Sequence, residues 1–325
     1  MKDNILITGI TGQDGLFITK KFLNDYKNYK IIGSSRAKVD SVLKKFNYLN
    51  LSINENLEII ELDLMNNNAV REAIKNFNPK IIINLSGPSS VYDSYKNPEQ
   101  TIMSINKIYD NLSQSILETN EETHFFQALS SEMFSSENFE PLSEKSKFEP
   151  RSPYAKAKYD TYIKTLENRN KYGMNISSGI LFNHESEFRD DKYLIMKIIN
   201  TAINLNNGVE DTLSIGSMDV VRDWSFAGDI ADAIINITLD NKPEDYVIGS
   251  GIGHSINQMV SQVFSYFDLD YTKHTIVDDS LLREGDPEVI ISNPNKIKTK
   301  FGWNNKVSFE ELINRCINFK LSLRQ

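Results

Sequence analysis

The run Ile5-Leu6-Ile7-Thr8-Gly9-Ile10-Thr11-Gly12-Gln13-Asp14-Gly15, at the head of the chain, sets the architecture. A short apolar segment ends in threonine, three glycines follow at three-residue spacing, and Leu16, Ile18, Phe22 and Leu23 open a helical pattern. Glycines so placed permit a tight turn, close approach of backbone to a pyrophosphate, and close packing of the helix on its strand. The free N–H groups of the helix start then face the phosphates. The prediction is an α/β fold, a Rossmann-type doubly wound parallel sheet, with a dinucleotide held by Gly9, Gly12 and Gly15.

Working outward, strand candidates at 4–8, 29–33, 57–62, 81–85, 124–129 and 175–181 alternate with helical patterns at 15–26, 69–77, 99–118 and 154–172. This alternation predicts βαβ units, with ligands at the carboxyl ends of the strands. After Asn183 the pattern changes, with helices expected at 194–205, 226–239 and 309–323. Residues 1–183, with about 217–244, are expected to form the dinucleotide lobe, and 184–216 with 245–325 a smaller C-terminal substrate-binding lobe.

The 325 residues are 40% hydrophobic and 25% charged, ordinary for a soluble globular chain. A net charge of −8 argues against nucleic acid or an anionic membrane as the main partner. Cys316 stands alone, which rules out an internal disulfide and suggests a reducing compartment. Met1 runs straight into a strand with no signal-peptide pattern, and no apolar run reaches membrane-spanning length, so the expected location is cytoplasmic. The four histidines, His124, His184, His254 and His274, lack metal-ligand spacing, and no metal is expected.

The second strand ends in Gly33-Ser34-Ser35-Arg36. An NAD site usually places a carboxylate there for the ribose 2′-hydroxyl; a guanidinium with two hydroxyls suits a 2′-phosphate instead. NADP is favoured over NAD, the alternative being a solvated Arg36. Asp63, after the third strand, either reaches the adenine edge or serves as a turn residue.

Ser130-Ser131-Glu132 end the fifth strand, and Tyr154 and Lys158 lie one turn apart on the helix opened by Arg151-Ser152-Pro153. Serine as N-cap and proline at the first helical position mark that start. Lys158 is expected to lower the phenol pKa, Tyr154 to take a proton from an alcohol, and a serine hydroxyl to hold the developing ketone oxygen. Glu132 goes beyond oxidation: a carboxylate beside the tyrosine suits an elimination next to that ketone.

With these residues located, the chain closely resembles the GDP-mannose 4,6-dehydratases of the extended short-chain dehydrogenase/reductase superfamily. The resemblance is carried by 7–15, by Arg151-Ser152-Pro153-Tyr154, by Gly179-Ile180-Leu181-Phe182-Asn183-His184-Glu185-Ser186, and by Arg222-Asp223-Trp224. It implies an NADP-binding lobe, a GDP-sugar lobe, and a homodimer or homotetramer. By position it implies Ser130, Glu132, Tyr154 and Lys158 as the catalytic set. Thr11, Gln13, Asp14, Arg36, Asp63, Leu64 and Leu85 join the glycines, Tyr154 and Lys158 around the cofactor. Ser89, Ser131, Asn183, Lys197, Arg222, Arg283 and Asp286 are expected to hold the sugar nucleotide, although Arg222 also has Asp223 as a possible surface partner. His184 is expected to be a structural hydrogen-bonding residue.

The chain departs from the family pattern at Ser86-Gly87-Pro88-Ser89-Ser90, at Glu187-Phe188-Arg189-Asp190, at Met196 and Ala37, and at Asp286. The expected activity is that of a lyase, a GDP-hexose 4,6-dehydratase with GDP-mannose as default substrate. The alternatives are the same chemistry on GDP-N-acetylglucosamine or a GDP-heptose, or a GDP-sugar 4-dehydrogenase, epimerase or reductase without elimination.

Overall fold

The computed structural model describes residues 2–36, 45–135, 137, 141–240, 242–282 and 285–324. Six strands of its main sheet follow the expected alternation: β1 (Asp3–Thr8), β2 (Tyr29–Ser35), β3 (Leu57–Glu61), β4 (Ile81–Asn84), β5 (His124–Ser130) and β6 (Ile176–Leu181). The intervening helices are α1 (Gln13–Asp25), α2 (Asn67–Phe77), α3 (Val91–Lys96), α4 (Pro98–Thr119) and α5 (Pro153–Tyr172). Beyond β6 come β7 (His184–Glu185), α6 (Leu194–Asn206), β8 (Leu213–Ile215), β9 (Val221–Asp223), β10 (Ser225–Phe226), α7 (Ala227–Asp240) and β11 (Asp245–Ile248). The chain ends with β12 (Gly253–Ser255), α8 (Ile256–Ser265), β13 (Thr275–Val277), β14 (Val289–Ile290), α9 (Asn295–Phe301) and α10 (Phe309–Ser322).

The main sheet has seven strands in the order β11-β6-β5-β4-β1-β2-β3, and every pairing is parallel. Side-chain alternation sorts its two faces. Ile5, Ile7, Ile81 and Ile83 point into one core with Leu16, Ile18 and Phe22 of α1 and Ile230 and Ile234 of α7. Leu6, Ile82 and Phe125 point the other way, onto Val70 and Ile74 of α2 and Leu112 and Ile116 of α4. A strand covered on both faces reads as a continuous apolar run, which is why Ile81-Ile82-Ile83 has no polar alternation.

The seventh strand, Asp245–Ile248, pairs with β6 although it follows residue 244, inside the stretch expected to belong wholly to the second lobe. A separate core joins Ile195, Ile198 and Ile199 of α6 to Val260 and Phe264 of α8 and to Leu312 and Ile313 of α10. The strands β12-β9-β14 make a small sheet between this core and the main sheet's carboxyl edge, where β9 brings Arg222 and Asp223. Among the described residues, no helix is long and apolar enough to cross a membrane, and no group of three or more metal-ligating side chains gathers.

Candidate active site

The carboxyl ends of β1, β4 and β5 are tied by a chain of buried side chains. Thr8 Oγ1 donates to Asn84 Oδ1 at 2.7 Å, and Asn84 Nδ2 donates to Gln127 Oε1 at 2.8 Å. Asn84 Oδ1 also accepts the Ser86 N–H at 3.2 Å, which fixes the start of the loop after β4. These bonds hold together the three strand ends from which the glycine turn, the Ser86–Ser90 loop and the Ser130–Glu132 turn depart.

The glycine turn fits a dinucleotide. Gly9 has φ +72, and a Cβ there would lie 3.0 Å from the Leu85 carbonyl oxygen. A Cβ on Gly15 would lie 2.7 Å from Gly9 O, so helix and turn are in direct backbone contact. Gly12 is the N-cap of α1 and provides no side-chain cap, which leaves first-turn N–H groups for an anion. Lys45 Nζ donates to Thr11 O at 3.1 Å, a cation at the turn that no motif marks. Gln13 and Asp14 bind inward. Gln13 Nε2 donates to His184 O at 2.9 Å, Ser186 Oγ donates to Gln13 Oε1 at 2.8 Å, and His184 Nε2 lies 3.1 Å from Asp14 Oδ2. Burial pushes the His184 pKa down, but the charge and hydrogen bond of Asp14 outweigh it and the net shift is upward. His184 therefore ties the glycine turn to the segment that follows β6.

Farther along the sheet edge, Arg36 is exposed at the end of β2. Asp63 is an exposed turn residue that accepts the Met65 N–H at 3.0 Å. Leu64 is buried and its carbonyl accepts from Asn111 Nδ2 at 2.7 Å, while Leu85 packs against the α1-side core.

The four catalytic candidates meet at the β5 end. Ser130 Oγ caps the short turn Ser131–Met133 by accepting the Glu132 N–H at 3.2 Å, and Ser131 is buried in that turn. Ser152 caps α5 by accepting the Ala155 N–H at 3.0 Å, with Pro153 in the first turn. Helix α5 thereby points Tyr154 and Lys158 at β5. Lys158 Nζ donates to Ala128 O at 2.9 Å and sits 5.8 Å from the centroid of the Tyr154 ring. Tyr154 is buried, with Ser130 and Glu132 as neighbours.

The phenol is not lowered in the way the helical spacing predicts. Burial dominates and pushes Tyr154 up to about 12, the Ser130 bond opposing and Glu132 adding to the rise. Burial likewise pushes Lys158 down to about 8. Both shifts disfavour the charged forms, as expected for groups sealed from water.

Glu132 lines a cleft with Val91, Arg151, Ser152, Asp286 and Pro287 among its walls. Arg222 reaches this region from β9 but is 5% exposed. It pairs with Asp286 at 2.8 Å and donates to Val221 O and Pro287 O, both at 2.9 Å. Its partner is thus Asp286 and not the adjacent Asp223, which is taken by Ser250, Gly251 and Ser292. Asn183 sits where β6 leaves the sheet, its carbonyl accepting the Ser225 N–H at 2.9 Å. Lys197 is exposed on α6. Arg283 lies outside the described residues.

Sequence reasoning missed Tyr193 and Arg189. Ser89 Oγ and Tyr193 Oη are 2.7 Å apart, and the Arg189 Cζ lies 3.6 Å from the Tyr193 ring centroid. Both residues act electrostatically on Tyr154. Their one sequence signal is position, in the segment leading into a helix that follows a strand end.

A family model of GDP-mannose 4,6 dehydratase matches residues 6–316. The chain is 30% identical over 326 residues to GDP-mannose 4,6 dehydratase 2 of Arabidopsis thaliana, covering 98% of this chain and 87% of that protein. It is 28% identical to a GDP-mannose 4,6-dehydratase of Vibrio cholerae, covering 100% and 95%. Among solved structures, a dTDP-glucose 4,6-dehydratase from Streptomyces venezuelae with NAD and TYD bound superposes with a TM-score of 0.87 at 19% identity. That alignment covers 99% of this chain and 98% of the other, and at this identity it speaks for the fold alone. The family match spans both cores, well beyond the glycine turn that any dinucleotide-binding chain would share, and the chain belongs to the GDP-mannose 4,6-dehydratase family.

Proposed function

We propose that this chain removes water from a GDP-hexose, GDP-mannose in the first instance, to give a GDP-4-keto-6-deoxy sugar. Family membership supports the substrate class. The observation that carries the reaction type is the position of Glu132, in the turn capped by Ser130 at the strand end to which α5 brings Tyr154 and Lys158. Two proton-exchanging groups beside one another suit two successive steps on one sugar ring.

A bound nicotinamide supplies reversible storage of a hydride. Tyr154 takes the proton of the carbon 4 hydroxyl as that carbon becomes a ketone, and Ser130 hydrogen-bonds the ketone oxygen. The ketone acidifies the hydrogen on carbon 5. Glu132 accepts that proton and returns it to the hydroxyl on carbon 6, which departs as water. Carbon 4 is oxidised by two electrons and carbon 6 reduced by two, and the proton held by Tyr154 ends on carbon 5, so water is the sole net loss.

The Lys158 ammonium, 5.8 Å from the centroid of the Tyr154 ring, is the cation that stabilises the phenolate during proton transfer.

NADP is the proposed cofactor, supported by exposed Arg36 at the end of β2 and by the absence of a carboxylate from residues 33–36. A homodimer or homotetramer in a reducing cytoplasm completes the proposal, supported by the family resemblance and the single thiol.

The test is incubation of purified protein with a panel of GDP-sugars and catalytic NADP, read by mass spectrometry. Loss of one water without net NADPH is expected. Stoichiometric NADPH without water loss would make the chain a dehydrogenase and remove Glu132 from its role.

A further inference from the structure

We infer that Tyr193, together with Ser89, is a specificity-determining residue that reads a free hydroxyl on carbon 2 or carbon 3 of the sugar; the inference rests on the dehydratase reading above. Ser89 lies in the loop after β4, and Tyr193 immediately precedes α6 of the second core, 104 positions away. Their hydroxyls are nonetheless 2.7 Å apart. A second link fastens the same two segments: Lys192 Nζ to Asp93 Oδ2 at 3.0 Å. The facing edges of the two lobes are thus held together beside the catalytic cleft.

The Tyr193 ring is oriented. Arg189 lies against its face with Cζ 3.6 Å from the centroid, and the guanidinium is itself held 2.9 Å from the buried carboxylate of Glu185. The backbone N–H of Tyr193 donates to Asp190 O at 3.1 Å. Ser89 lies two residues before Val91, which lines the cleft together with Glu132, and this places the pair at the edge of that cleft.

Two hydroxyls bonded to each other still offer one free O–H and spare lone pairs. That set matches a third hydroxyl, which donates and accepts in the same way. Tyr154 and Ser130 engage carbon 4, and Glu132 engages carbons 5 and 6. The hydroxyls left over on the ring are those on carbons 2 and 3.

The experiment compares the parent with Tyr193→Phe on GDP-mannose and on its 2-deoxy and 3-deoxy analogues, reading kcat and KM separately. Phenylalanine keeps the ring on which Arg189 lies, so the fold is retained. On GDP-mannose the variant should lose about tenfold in kcat/KM. On the analogue lacking the hydroxyl that is read, parent and variant should be equal. Equal loss on all three substrates, or none, would leave Tyr193 as a strap between lobes and overturn the inference.

A calorimetric arm reads the same contact without turnover: Tyr193→Phe and Ser89→Ala should weaken binding of GDP-mannose but not of GDP. If the parent dehydrates none of the sugars, the dehydratase reading fails, and the calorimetric comparison alone decides the role of Tyr193. Equal weakening of GDP-mannose and GDP, or of neither, would reject it.

Discussion

Replacing Gly15 by alanine separates the structural duty of the glycine turn from its binding duty. The added Cβ would lie 2.7 Å from both Gly9 O and Ile10 Cα, and 2.8 Å from Ile10 C. Ordinary carbon contacts fall near 3.5–4.0 Å, so the overlap is about 0.8 Å against three backbone atoms. The turn cannot retreat, because Gly9 is itself pressed on the Leu85 carbonyl. Overpacking of this kind costs about 1–3 kcal/mol, which for 325 residues corresponds to a fall in melting temperature of roughly 1.5–4.5 °C.

Gly12 provides the contrast. Its Cβ position meets only Gly9 O, at 3.3 Å, and its φ of −73 suits alanine. Gly12→Ala should change ligand-free stability by about 0.5 kcal/mol or less, yet still weaken the dinucleotide by crowding the phosphate-facing backbone. The assay is calorimetric unfolding of both ligand-free variants, followed by titration with NADP. If Gly15→Ala melts with the parent, or Gly12→Ala melts below it, the account of the turn is wrong.

Glu132→Gln should keep NADP and GDP affinity while turnover falls by a factor of about a hundred or more, on the scale of lost general acid–base catalysis; a near-normal rate of 4-keto-6-deoxy product would remove the elimination role. Arg36→Ala should weaken NADP about tenfold or more and leave NAD within about twofold; parallel affinities in parent and variant would refute the cofactor assignment. His184 has a raised folded-state pKa, so its pairing with Asp14 contributes stability fully present below its unfolded value near 6.5 and lost as pH rises through the folded value. Comparing His184→Gln with the parent by chemical denaturation, the destabilisation should be larger at pH 6 than at pH 9, by roughly 1–2 kcal/mol; a pH-independent difference would contradict this.

The local half of the structure was legible. Period-two burial in Ile5–Ile7, the glycine spacing, and the Ser152-Pro153 helix start are each determined by neighbours a few residues away, and the structure reproduces them. Ser130, Glu132, Tyr154 and Lys158 could be grouped because the strand-then-helix order brings a β5 end to an α5 start. The pairings that crossed the lobes could not be read. His184 meets Asp14 across 170 positions, and Tyr193 meets Ser89 across 104. Nothing in the spacing of a sequence encodes which loops face one another once a second core has folded against a sheet edge. For the same reason Arg222 could be matched to Asp223 on paper, while β14 delivers Asp286 to it in space. The Tyr154 pKa was misjudged because helical spacing reports the nearness of Lys158 but not the burial that outweighs it.

The most direct measurement uses GDP-mannose carrying deuterium on carbon 4, with catalytic NADP in ordinary water and the product read by mass spectrometry and NMR. One site that oxidises, eliminates and reduces should release a product lighter by one water, with the deuterium now in the carbon 6 methyl group. Deuterium recovered in NADPH, with every sugar oxygen still in place, would contradict the account and leave a simple dehydrogenase.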